Sequence, residues 1–139
     1  MSPWPSNVAA DEPTRHQSRE RALGLLYEAE IKREAPTAVL GALAVPADRF
    51  TAELVAAAER HGQEADALVA DASVGWPLER MAVVDRLVLR MAVVELLEPE
   101  GPPTAVVLDE AVELAKTYST EESGAFVNGI LRTIAARVR

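Results

Sequence analysis

The segment PLERMAVVDRLVLRMAVVELLE, residues 77–98, constrains this chain more than any other. It opens with Pro77, a residue tolerated in the first turn of a helix. Read as one helix, it is apolar almost all round, and such a helix is stable only at the centre of a bundle. Its exceptions are informative. Glu79, Arg86 and Arg90 fall on one narrow stripe, because steps of seven and four residues nearly complete whole turns. Two arginines four residues apart repel each other, so the stripe is expected to meet acidic partners or solvent, as in a structural salt-bridge network.

The remaining segments supply helices to surround it. RHQSRERALGLLYEAEIKRE places Ala22, Leu25, Leu26 and Ala29 at the i, i+3, i+4, i+7 spacing of one helical face. Pro36 is expected to end this helix, and TAVLGALA offers a short second one before Pro46. Asp48 suits the N-cap of a third helix, in which Phe50, Leu54, Val55 and Ala58 form an apolar face continued by Ala65, Leu68, Val69 and Ala72. Gly62 is the expected kink or split. After the loop around Pro99, Pro102 and Pro103, Thr104 is expected to cap a helix with Val107, Ala111, Leu114 and Tyr118 facing inward, and Asp109, Glu113 and Lys116 outward.

FVNGIL, residues 126–131, poses a choice. Asn-Gly between apolar residues is a strong hairpin signal, but hairpin arms should alternate apolar and polar, whereas Phe126-Val127 and Ile130-Leu131 are adjacent apolar pairs. They extend into one broad helical arc with Ile134 and Val138, and Ser119 and Glu122 upstream have the spacing of a capping box. Gly129 costs about 1 kcal/mol relative to Ala inside a helix, and another helix passing close over it is the expected compensation. The fold class is therefore all-α, with about six to seven helices.

A length of 139 residues suits one hydrophobic core without staples. Residues 1–13, with Pro3, Pro5 and Pro13, read as a disordered tail, and residues 14–139 as the folded domain. No apolar run is long enough to span a membrane or serve as a signal peptide, so a soluble, cytoplasmic protein with no membrane role is expected. The net charge of -8 argues against nonspecific coating of nucleic acid, although Arg15, Arg19 and Arg21 gather near the start and Arg132, Arg137 and Arg139 near the end. Cysteine is absent and there are two histidines, His16 and His61, in no metal-ligand spacing. With no phosphate-binding glycine loop either, neither catalysis nor a metal or other cofactor is expected.

The stretches RERALGLLYEAE, VDRLVLRMAVVELL and LDEAVELAKTYSTEESGAFVNGIL, in this order and spacing from about Arg15 to Val138, resemble the NusB family of bacterial transcription antitermination factors. The resemblance implies two small helical bundles and a non-enzymatic RNA-binding factor. It implies pairing with the ribosomal protein NusE, recognition of single-stranded boxA RNA in nascent ribosomal RNA transcripts, and action within the RNA polymerase antitermination complex. By the same resemblance the RNA-binding positions are Arg15, His16, Arg19, Tyr27, Glu122 and Phe126, and Asp85 faces the ribosomal-protein partner. Arg15, Arg19, Leu23 and Tyr27 succeed one another at i, i+4 along one helix flank, and arginine contacts to phosphate with aromatic stacking suit unpaired RNA. Here the arginine patch is thinner than the family's usual one.

Each position has a plainer reading from the residues alone. Tyr27 and Phe126 also fit as core aromatics, Arg15 and Arg19 as a solvated helix start, and Asp85 as a structural partner of Arg80 or Arg86. Two alternative functions go with the resemblance. One is a protein-binding adaptor without RNA contact, and the other a detached RNA-binding module of a ribosomal RNA methyltransferase.

Overall fold

The computed structural model describes residues 12–139. Most of the expected tail, residues 1–13, therefore lies outside the described residues. Among them are seven α-helices and one 3₁₀ turn, with no strand. The chain divides into two compact units, one ending at Arg60 and the other running from His61 to Arg139.

The N-terminal unit contains α1 (Arg15–Lys32), α2 (Pro36–Gly41) and α3 (Arg49–Arg60), with α1 packed on both others and α2 on α3. A reciprocal capping box starts α1: the Thr14 hydroxyl accepts from the Gln17 N–H, and the Gln17 side chain accepts from the Thr14 N–H. The face expected for this helix is buried, Ala22, Leu25, Leu26 and Ala29 together with Leu23. Pro36 does not end the helix. Arg33, in the left-handed region at φ 56°, ends it by bonding back to Ala29 and Glu30, and Pro36 then begins α2, where its missing N–H costs nothing. The backbone N–H and hydroxyl of Thr37 donate to Glu59 and tie α2 to α3.

The C-terminal unit contains α4 (Gly62–Ala72), the 3₁₀ turn (Leu78–Arg80), α5 (Val83–Leu97), α6 (Thr104–Tyr118) and α7 (Glu121–Val138). The third helix expected from sequence is thus split, between Arg60 and Gly62. As expected, α5 is central: it packs on α4, α6 and α7, and every residue from Met91 to Leu96 is buried. It starts later than Pro77, however. The chain makes one tight turn and then runs extended through Met81 and Ala82, which buries the Met81 side chain before α5 begins. Glu79 therefore does not share a stripe with Arg86 and Arg90. The acid that Arg90 meets is Asp66 of α4, in a bidentate pair at 3.0 and 2.7 Å.

FVNGIL is helical, within α7. The expected reason for its glycine is not what the structure shows, since Gly129 is exposed and a Cβ there would meet open space. The close approach is at Gly124, where a Cβ would lie 3.0 Å from the Lys116 side chain of α6. Two caps also differ from expectation. Thr104 is the first residue of α6 rather than its cap, which is Pro103. The box that starts α7 is Thr120 with Ser123, not Ser119 with Glu122, because the Ser119 N–H still bonds to Ala115 at the end of α6. At the far end of α7, Arg139 donates to the carbonyls of Leu96, Glu95 and Pro102, closing the C-terminus of α5 where helix carbonyls lack partners. Gly101 makes room for this clasp, since a Cβ there would sit 2.7 Å from the Glu95 carbonyl oxygen.

Candidate nucleic-acid interface

Four of the residues expected to contact RNA stand on α1 of the N-terminal unit. Arg15 is exposed, and its guanidinium lies over the Phe50 ring, Cζ 4.1 Å from the centroid. His16 is partly exposed, with Nε2 3.7 Å from the Glu20 carboxylate one turn on. Arg19 is only 4% exposed, and its Cζ is 5.1 Å from the same Phe50 centroid. Tyr27 is half-buried. The flank drawn through Arg15, Arg19, Leu23 and Tyr27 is not a continuous surface, because Arg19 and Leu23 turn into the interior. What the structure brings together is Arg15 and Arg19 around one ring of α3.

The start of α3 beside that ring is a closed polar joint. Asp48 accepts from the Ser18 hydroxyl at 2.7 Å, from the Thr51 N–H at 3.1 Å and from the Thr51 hydroxyl at 2.6 Å. Asp48 is thus the N-cap expected from sequence. Burial on its own pushes its carboxyl up, but the Thr51 and Ser18 hydrogen bonds together outweigh burial and hold it below the ordinary carboxylate range.

The other expected positions belong to the C-terminal unit. Glu122 is exposed in the first turn of α7, where an acid is favoured by the helix dipole, and Phe126 is half-buried one turn later. Asp85, in the first turn of α5, is 8% exposed and accepts at Oδ2 from the Ser123 hydroxyl at 3.1 Å. Its other oxygen is buried with no hydrogen-bond partner among the described residues. Ser123 also belongs to the α7 cap with Thr120 and bonds the Ser119 hydroxyl.

Three participants escape sequence reasoning. Phe50 reads as one more member of the apolar face of α3, and the polar roles of Ser18 and Ser123 leave no trace in periodicity. The signal for Ser123 was the T-x-x-S spacing from Thr120, a weaker version of the capping-box pattern. Among the described residues no group of three or more His, Asp or Glu side chains is arranged to hold a metal ion, and no helix is long and apolar enough to cross a membrane.

Comparison with known proteins identifies relatives of the whole chain. The sequence model of the NusB family matches residues 16–136. The transcription antitermination protein NusB of Acidothermus cellulolyticus is 41% identical over 128 residues, covering 89% of this chain and 88% of the relative. The structure of T. maritima NusB superposes with a TM-score of 0.83 at 35% identity, covering 91% of this chain and 93% of that one. A crystal structure of the antitermination factors NusB and NusE in complex with dsRNA matches with a TM-score of 0.76 at 28% identity, over 88% of this chain and 96% of that one.

Proposed function

The chain belongs to the NusB family, and from that premise we propose that it is a transcription antitermination factor which, together with ribosomal protein NusE, binds boxA-type RNA in nascent ribosomal RNA transcripts and promotes read-through by RNA polymerase. The reading is of a non-enzymatic, cytoplasmic factor. The observation that carries it is the likeness, over most of the chain, to a NusB seen together with NusE and RNA.

The RNA-binding set proposed is Arg15, His16, Arg19, Tyr27, Glu122 and Phe126. An exposed arginine supported on a ring, and aromatics that are only half-buried, suit unpaired RNA. Because Arg19 is buried, its share is support within the N-terminal unit, and Arg15 carries the phosphate contact. Asp85 is the proposed partner-facing acid on the family resemblance: it is 8% exposed, and its oxygen that lacks a donor among the described residues is itself buried.

Fluorescence anisotropy of a labelled single-stranded boxA-like RNA, titrated with this protein with and without NusE at two salt concentrations, tests the reading. The expected result is binding that needs NusE, falls with rising salt as phosphate contacts require, and drops in an Arg15→Ala/Tyr27→Ala variant. NusE binding without RNA binding at any salt would replace this reading with that of a protein-binding adaptor.

A further inference from the structure

Resting on the RNA-binding reading above, we propose that Phe50 is a positioning residue for RNA binding: its ring supports the Arg15 guanidinium beside an adjoining cavity, where the outer face of that guanidinium stacks on one unpaired base.

The cavity, about 310 Å³, is lined by Arg15, Ser18, Asp48, Arg49, Phe50 and Glu53 among others. Of its three acids, Glu12, Asp48 and Glu53, the last two are already occupied. The Asp48 oxygens accept from Ser18 and Thr51, and Glu53 holds Arg49 at 2.9 Å. Arg15 is held instead by the ring, with Cζ 4.1 Å from its centroid. A guanidinium placed over an aromatic ring keeps its in-plane N–H groups for phosphate and its second face for another π-system. Bases splayed from single-stranded RNA stack on such planes. The ring also restrains a long side chain that would otherwise lose rotamer freedom on binding. Arg19, buried with Cζ 5.1 Å from the same centroid, packs against the ring within the fold.

The test is the anisotropy titration with NusE present, using Phe50→Leu, Phe50→Tyr, Arg15→Lys, Arg15→Ala and the Phe50→Leu/Arg15→Ala double variant. Thermal melting and NusE affinity serve as measures of fold. Phe50→Leu is expected to weaken RNA binding about fivefold and to reduce the slope of log K against log salt by about one. Phe50→Tyr should restore both. The double variant should bind no more weakly than Arg15→Ala, because the ring acts through that arginine. Arg15→Lys, which keeps the charge and lacks the planar face, should lose nearly as much as Phe50→Leu even if the latter melts early. Wild-type binding by Phe50→Leu or Arg15→Lys, full additivity in the double variant, or failure of tyrosine to rescue would each overturn the proposal while leaving the antitermination reading in place. Absence of RNA binding by the wild-type protein with NusE would overturn both.

Discussion

Both units join two helices through a carboxylate and a hydroxyl, but one joint is complete and the other is half used. In the N-terminal unit Ser18 of α1 donates to Asp48 at the start of α3, and Thr51 donates to both Asp48 oxygens, from its N–H and its hydroxyl. In the C-terminal unit Ser123 of α7 donates to one oxygen of Asp85 on α5, and the second oxygen is buried without a donor among the described residues. A carboxylate with every oxygen served is a fastening. A buried one left half unserved is a cost the fold carries, and it lies next in space to the helix start that presents Glu122 and Phe126. The N-terminal joint is thus fully satisfied, and the C-terminal one leaves a buried acceptor unused.

Breaking the complete joint should have the largest effect. Asp48→Ala removes the α3 cap and the acceptor shared by the Ser18 and Thr51 hydroxyls, leaving the fully buried Thr51 hydroxyl only the Ser18 carbonyl at 3.2 Å, so urea unfolding should show a loss of about 3 kcal/mol; a loss under about 1 kcal/mol would mean that neighbouring groups replace the joint. Ser123→Ala should cost less, about 2 kcal/mol, by leaving Asp85 with neither oxygen bonded. Its sharper signature is at α7, where amide hydrogen exchange in the first turn should speed up. Asp85→Asn should be milder still, within about 1 kcal/mol of wild type, because it removes a charge that is incompletely served. The same substitution should weaken NusE binding in a pull-down or calorimetric titration, and unchanged affinity would remove Asp85 from the partner surface.

The smallest expected effect depends on pH. The folded-state pKa of Asp48 lies below the unfolded value of about 3.9, so its contribution is fully present well above that value and is lost as pH falls through the lowered one. Acid unfolding of wild type and Asp48→Asn should therefore diverge above about pH 4 and converge below it. Parallel curves throughout would show that the hydrogen bonds do not discriminate between the two protonation states.

Much of the fold was legible because its signals are local. The spacing of Ala22, Leu25, Leu26 and Ala29, the all-round apolarity after Val83, and the paired apolar residues of FVNGIL each pointed to a helix that formed. Boundaries slipped where two local devices compete. Ser119 and Thr120 both offer hydroxyls, and the one still bonded into α6 cannot cap α7. Pro77 permits a helical first turn, but burying Met81 favours an extended step instead.

The candidate site was legible only in part, and for the same reason. Arg15, His16, Arg19, Tyr27, Glu122 and Phe126 were picked from a family pattern, and sequence distinguishes them as residue types without assigning their exposure. Periodicity determines which residues of one helix share a face. It carries nothing about which residue of a distant helix lies opposite, and the decisive contacts here join positions about thirty or more apart: Ser18 with Asp48, Arg15 with Phe50, Asp85 with Ser123. The sequence by itself therefore determined an all-helical chain of this family with α5 at the centre of its bundle. Only tertiary packing decided that Arg19 is buried while Arg15 is exposed over a ring, that Gly124 rather than Gly129 is the close approach, and that one carboxylate joint is complete and the other open. Side-chain burial and pairing depend on what the rest of the chain brings to each face, and no local pattern specifies that.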